Sequence, residues 1–156
     1  MVATALTSIL DGEGVKYEVL AHEHTETAAD EARALGVEPA EVAKTLVVET
    51  PSGYVRAVLP ASERVDVGKL ADVIGERRKE LQLATEAALK RDFGEFELGA
   101  VPPVGGSQSG RVVVDTCIAE RDSVVLEAGS HDESIRLAAA DLIRVASAEV
   151  ADIHQD

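Results

Sequence analysis

The chain has 156 residues, 46% of them hydrophobic, enough for one domain with a proper core and too few for two comfortable ones. Four aromatic rings (Tyr17, Tyr54, Phe93 and Phe96) leave an aliphatic core and argue against a base-stacking platform for single-stranded nucleic acid. A formal charge of -14 opposes non-specific nucleic-acid binding, and the single cysteine, Cys117, excludes an intramolecular disulfide framework.

In chain order, Thr4 to Leu10 is predicted as a short opening helix, ended by Asp11-Gly12-Glu13-Gly14. Tyr17 to Ala21 alternates like a strand. Thr27 to Leu35 reads as a helix with Thr27 as N-cap and Gly36 as its stop. Pro39 begins a turn of helix before the β-branched run from Val42 to Val48. Pro51-Ser52-Gly53 is a turn and Tyr54 to Leu59 a second strand, so residues 44–59 are predicted to form a hairpin. Asp66 caps a helix to Ile74 that Gly75 ends, Leu81 to Leu83 is a short strand, and Thr85 caps a helix to about Asp92. Val112 to Asp115, Val124 to Glu127 and Ser134 to Leu137 follow as strands, then a helix from Ala139 to about Ala148 and a polar tail. Hairpins with helices between them, without regular β-α-β alternation, predict a single mixed α+β domain over residues 1–156.

Two features stand out from that background. The first is Lys44, at the mouth of an apolar strand, where lysines are rarely buried without a partner. Position alone favours a stem packed on the sheet with its ammonium in water; the alternative is an ammonium facing a cleft. Charge distribution bears on the choice. Residues 41–80 carry seven basic and seven acidic side chains, whereas residues 1–40 carry two and eight, and residues 81–156 six and fourteen. An anionic partner would therefore bind near Lys44. The second feature is the uncharged stretch from Leu98 to Gly110, 13 residues with two prolines and four glycines. Such a loop is stiffened by Pro102 and Pro103, while its glycines let backbone approach a ligand closely.

Several constellations are absent. The glycine loop lacks a Gly-Lys-Ser/Thr ending, and there is no Gly-x-Ser-x-Gly elbow. His22-x-His24 has no third ligand at a supporting spacing, so no metal is expected there. Cys117 shows no accompanying base and reads as structural. His131, after a glycine turn, is a candidate polar contact in a cleft and equally a surface residue. Arg77-Arg78-Lys79 is the densest basic run, by default a solvated face and alternatively a phosphate contact. A lysine at a strand mouth and a glycine loop can together hold an oxyanion or orient an ester, with water or the substrate itself as the attacking group. A module that binds an amino acid or nucleotide without turnover is the second reading, and an interaction domain with a vestigial pocket the third.

An ordered series of motifs carries a family resemblance: Val42-Ala43-Lys44-Thr45-Leu46, Ala57-Val58-Leu59-Pro60-Ala61, Val65-Asp66 with Lys69-Leu70, and Leu83-Ala84. Gly99-Ala100-Val101-Pro102-Pro103, Val113-Val114-Asp115 and Ala128-Gly129-Ser130-His131 complete it. Over about residues 17–146 the chain resembles the YbaK/prolyl-tRNA-synthetase-associated domain family of free-standing aminoacyl-tRNA deacylases. The resemblance implies a mixed, partly barrel-like central sheet with surrounding helices, and hydrolysis of the ester joining a wrong, small amino acid to tRNA. It implies that Lys44, Gly99 and Gly129 form the catalytic set. Thr45, Ala100, Val101, Pro102, Pro103 and His131 would line the substrate pocket, and Arg77, Arg78 and Lys79 would meet tRNA phosphate. The implied mechanism is largely substrate-assisted and needs no cofactor. The expected partners are the 3′ end of a mischarged tRNA and an aminoacyl-tRNA synthetase holding the tRNA body, with no membrane. The first basic residue is Lys16 and no stretch approaches a membrane span, so the expected location is cytoplasmic.

Overall fold

A computed structural model describes residues 5–156. Eight strands form two sheets, with helices around them. In chain order the elements are α1 (Ala5–Gly12), β1 (Tyr17–Ala21), α2 (Ala28–Leu35), β2 (Ala43–Thr50), β3 (Gly53–Pro60), α3 (Val67–Ile74), β4 (Gln82–Leu83) and α4 (Glu86–Asp92). They continue with β5 (Arg111–Asp115), α5 (Thr116–Ala119), β6 (Ser123–Glu127), β7 (Glu133–Ala138), α6 (Ala139–Ala146) and β8 (Glu149–Ala151). Short 3-10 turns occupy Pro39–Glu41 and Arg78–Glu80. The predicted start of the first helix, Thr4, lies outside the described residues.

Local chemistry sets most boundaries. Thr27 accepts a hydrogen bond from the Asp30 N–H, Asp66 from the Lys69 N–H and Thr85 from the Ala88 N–H, each satisfying a donor that the first helical turn leaves free. Gly36 and Gly75 close α2 and α3 in the left-handed conformation. Two elements were not expected from the sequence: α5, capped by Asp115, and β8 in the tail.

The larger sheet has the order β4-β2-β3-β5-β8 and the smaller β1-β7-β6. β2 and β3 form the predicted hairpin, from Thr50 opposite Gly53 to Ala43 opposite Pro60. β5 then runs parallel to β3, and β8 parallel to β5, so the sheet is mixed. A bridge between Val42 and Val125 ties the two sheets, which among the described residues do not close into a barrel. Strand alternation divides the interior. Val58, Val112 and Val114 face α1, α6 and the smaller sheet, while Ala57, Leu59 and Val113 face Leu70, Ile74 and Ile153. Burial on both faces explains the unbroken Val112-Val113-Val114 run. At about 1.5–3 kcal/mol for each fully buried aliphatic side chain, these two layers dominate the favourable side of folding.

Candidate active site

The site is built at the outer edge of β2. β4 pairs with β2 at Val48 and Glu49, and the Ala84 N–H reaches the Val47 carbonyl at 2.9 Å. At the other end of β2, Val42 bridges β6. Thr45 lies between these contacts. Since residues two apart in a strand point their backbone groups the same way, the N–H and C=O of Thr45 face this edge, as those of Val47 do. A depression of about 160 Å³ opens here, walled by Thr45, Val47, Leu83, Leu89, Gly99 and Val101.

The far wall is the glycine loop, and Arg56 holds it in place. Nη1 of Arg56 donates to the Pro102 carbonyl at 2.9 Å, and Nη2 donates to those of Gly105 (2.8 Å) and Gln108 (3.1 Å). Its guanidinium carbon lies 5.2 Å from the centre of the Phe93 ring. Glu95 accepts from the Ser107 N–H at 2.7 Å. Ala100, Val101, Pro102 and Pro103 are buried, so this part of the loop is wall and support.

A second set of contacts stitches the loop to the turn after β6. The Glu97 N–H donates to the Gly129 carbonyl at 2.8 Å, and the Glu97 carboxylate accepts from the His131 N–H at 2.7 Å. Gly99 has φ +85° and a Cβ there would lie 3.5 Å from the His131 ring; Gly129 has φ +111° and a Cβ there would lie 2.8 Å from Phe96. Both positions combine a left-handed backbone with a ring packed against the missing side chain.

His131 is only 3% exposed, so of its two sequence readings the surface one fails. Its Nε2 donates to the Leu98 carbonyl at 2.5 Å, because a carbonyl can only accept, and Nδ1 faces Glu127 at 3.0 Å. Burial, reinforced by Glu31 and Glu97, pushes the Glu127 carboxyl up to about 9. Nearby, buried Glu31 accepts from Ser134, whose hydroxyl also meets His22 at 2.9 Å, and burial raises Glu31 to about 7. His24 instead pairs with exposed Glu26.

Lys44 is half-buried one residue from Thr45. Alternation sends its side chain to the other face of β2, shared with Leu46, beside the Glu63–Arg64 corner. Burial lowers its pKa, and Arg64 adds to that effect. Among the described residues no hydrogen bond or ion pair engages its ammonium. Arg77, Arg78 and Lys79 lie apart from the depression. They rim a wider one of about 610 Å³ floored by Val67 and Leu81, which belong to the same apolar cluster as Leu46. Thus Thr45, Gly99 and Val101 share one depression, Gly99, Gly129 and His131 are cross-linked, and Lys44 shares a sheet face with the basic groove.

Among the described residues no cysteine or serine lines the depression. Cys117 lies in α5, just past β5, and burial followed by the hydrogen bond and charge of Asp115 raises its thiol to about 11. Sequence reasoning missed Arg56, Glu97 and Phe96. Arg56 did leave a signal, since it is a charge in the middle of an otherwise apolar run, Tyr54 to Leu59.

An α+β domain with a small, mostly apolar depression at a sheet edge, and a half-buried lysine on the opposite face of the same strand, offers a site for a small group. The model of the aminoacyl-tRNA editing domain matches residues 22–145, and the chain belongs to that family, as a hydrolase acting on aminoacyl-tRNA. It is 30% identical over 150 residues to the multifunctional Ser/Thr-tRNA deacylase ProXp-y of Escherichia coli strain K12, covering 93% of this chain and 88% of that one. Among solved structures it is similar to hypothetical protein APE2540 (TM-score 0.87, 25% identity, 97% of this chain and 99% of that one). It is also similar to a candidate trans-editing enzyme for prolyl tRNA synthetase, with TM-score 0.84, 26% identity, and coverage of 97% and 93%. No helix among the described residues is long and apolar enough to cross a membrane.

Proposed function

We propose that this protein clears tRNA mischarged with a small amino acid, its aminoacyl-adenosine end lodged at the β2 edge. The observation that carries this reading is the depression of about 160 Å³ with small aliphatic walls at the open β2 edge, with the half-buried Lys44, free of hydrogen bonds and ion pairs among the described residues, on the opposite face of the same strand. At ~30 Å³ per water, that space suits a side chain of a few heavy atoms. The Thr45 hydroxyl has no partner among the described residues and lines the wall, where it can hydrogen-bond a hydroxylated amino acid such as serine or threonine. The ProXp-y relative named for Ser/Thr-tRNA agrees with that chemistry.

Lys44 neutralises the terminal phosphate and orients the ester. Backbone N–H groups of the glycine loop and of Thr45 stabilise the developing oxyanion, an effect worth about 3–4 kcal/mol per well-placed donor. The attacking water is activated by the substrate, a ribose hydroxyl being the group at hand. Arg78 and Lys79, on the Lys44 face, meet phosphates further along the acceptor strand. A charge of -14 favours a synthetase that carries the tRNA body. Such clearing serves fidelity, because one methylene separates amino acids by only ~1–3 kcal/mol in a binding pocket.

The test is deacylation of a panel of Ala-, Ser-, Thr- and Cys-charged tRNAs by wild type and Lys44→Ala. The substitution should lower kcat/KM at least about 100-fold, roughly 2.7 kcal/mol, while the unfolding midpoint holds or rises, since a poorly solvated charge is removed. Turnover unaffected by Lys44→Ala would remove the proposed anchor. Binding without turnover on every tRNA would leave the non-catalytic module.

A further inference from the structure

Away from the depression, the C-terminal ends of two adjacent parallel strands bring together two acid-x-ligand pairs. β5 ends at Asp115, with Cys117 two residues on in α5, and the segment after β8 reads Asp152-Ile153-His154. His154 Nδ1 lies 2.8 Å from Asp115 Oδ1, 3.2 Å from Asp152 Oδ1 and 3.9 Å from Cys117 Sγ. Asp115 is fully buried; each of its oxygens accepts one backbone N–H, Ile153 at 2.8 Å and Cys117 at 3.0 Å, and its remaining lone pairs face His154 Nδ1 at 2.8 and 3.0 Å, where a cation would take the place of the imidazole proton. Asp156 lies beside the cluster, and Lys69 pairs with two of its carboxylates, Asp152 at 3.1 Å and Asp156 at 2.9 Å.

Two simpler roles fit less well. A Cys-His-Asp catalytic relay needs thiol and carboxylate on opposite ring nitrogens, and here one nitrogen, Nδ1, faces both. A plain hydrogen-bonded latch requires only Asp115 and the tail backbone; it uses neither the thiol nor the second aspartate. Asp115, Cys117 and His154 offer three mixed donors whose ligand atoms all lie within 4.8 Å of one another, a set that suits a borderline-soft divalent cation, and the half-exposed Asp152, outside that trio but 3.2 Å from His154, is the fourth donor that would turn in. At ~2.0–2.1 Å for nitrogen or oxygen and ~2.3 Å for sulfur, a tetrahedral shell has edges of about 3.3–3.6 Å. The three separations from His154 Nδ1, 2.8, 3.2 and 3.9 Å, lie on either side of that range.

We propose that Asp115, Cys117, Asp152 and His154 form a structural site for a zinc-like divalent cation that fastens the tail to the end of β5. On binding, the Cys117 thiol releases its proton to solvent and coordinates as thiolate. The imidazole proton leaves Nδ1, which becomes a ligand, and Nε2–H remains. Lys69 then serves as the outer partner of Asp152. The tail also pairs with residues 64–66 through Asp66 N–H to Ile153 O (2.7 Å) and Gln155 N–H to Arg64 O (2.8 Å), so the cation would stiffen the corner beside Lys44.

Cobalt(II), added to the metal-stripped full-length protein, reports the site by its thiolate charge-transfer absorption, with zinc as competitor. The expected result is one cobalt per chain with a thiolate band that zinc abolishes. Cys117→Ser should lose the band, and Asp152→Asn, at a half-exposed position that leaves the fold intact, should weaken binding at least tenfold. Zinc should raise the thermal midpoint of wild type and leave that of Asp152→Asn unchanged. Absence of a thiolate band at saturating cobalt would overturn the proposal, as would equal binding by wild type and Asp152→Asn. Cobalt lost with His24→Ala instead would place the ion at the exposed His24, Glu97 and Asp132 group and likewise overturn it.

Discussion

Arg56→Met tests whether the order of the glycine loop matters to the reaction. The substitution keeps an unbranched side chain over Phe93 and removes three hydrogen bonds, to Pro102, Gly105 and Gln108. Bonds from a charged donor contribute ~1.5–3 kcal/mol each, so ~5–9 kcal/mol is the upper bound. Two effects reduce it. Gly105 and Gln108 are half-exposed, so water replaces the lost donor there, whereas Pro102 is buried. Loss of the guanidinium also returns the cost of its burial, visible in its lowered pKa. A net loss of about 3 kcal/mol in loop docking is expected, corresponding to about 100-fold in kcat/KM at ~1.4 kcal/mol per tenfold. Arg56→Lys keeps the charge but not the fork and should recover only part of the rate. Single-turnover hydrolysis of Ser-charged tRNA gives the rate, and amide exchange over residues 99–109 gives the loop order. A rate within threefold of wild type despite fast loop exchange would show that loop order is not required. Unchanged exchange would show that Arg56 is not what holds the loop.

Gly129→Ala should lower stability by about 1–3 kcal/mol, because it places a Cβ at φ +111° and 2.8 Å from Phe96; an unchanged urea midpoint would contradict this reading of the turn. Glu31, with a folded pKa of about 7 against 4.5 in the unfolded chain, binds more protons when folded between those values. Its contribution is therefore fully present below pH 4.5 and is lost as pH rises through 7, on the order of 3 kcal/mol in all. In Glu31→Gln the fall in stability between pH 5 and pH 8 should shrink, and an identical pH profile would refute the assignment. Lys79→Ala should raise KM with little change in kcat and reduce the salt dependence of tRNA binding by about one counterion; an unaltered slope would remove the basic groove from the RNA path.

What the sequence determined by itself were the features written in neighbouring residues. The caps Thr27, Asp66 and Thr85, the left-handed stops Gly36 and Gly75, and the hairpin around Pro51-Ser52-Gly53 each need only a few consecutive positions. The glycine loop was legible for the same reason, as a charge-free run in a charged chain. Tertiary structure decided what depends on distant partners. β8 has three residues, of which Glu149 and Val150 are exposed and Ala151 half-buried, so no periodicity marks it, and its parallel pairing with β5 follows from where α6 ends. Arg56 reads as an oddity in β3 until the fold delivers carbonyls from residues 46 to 52 positions away. His131 could face water or a cleft until Leu98 and Glu127 enclosed it. Asp115 and Cys117 gave no sign of His154, 37 to 39 residues on, because only the parallel alignment of β5 and β8 puts the ends of both strands at one corner.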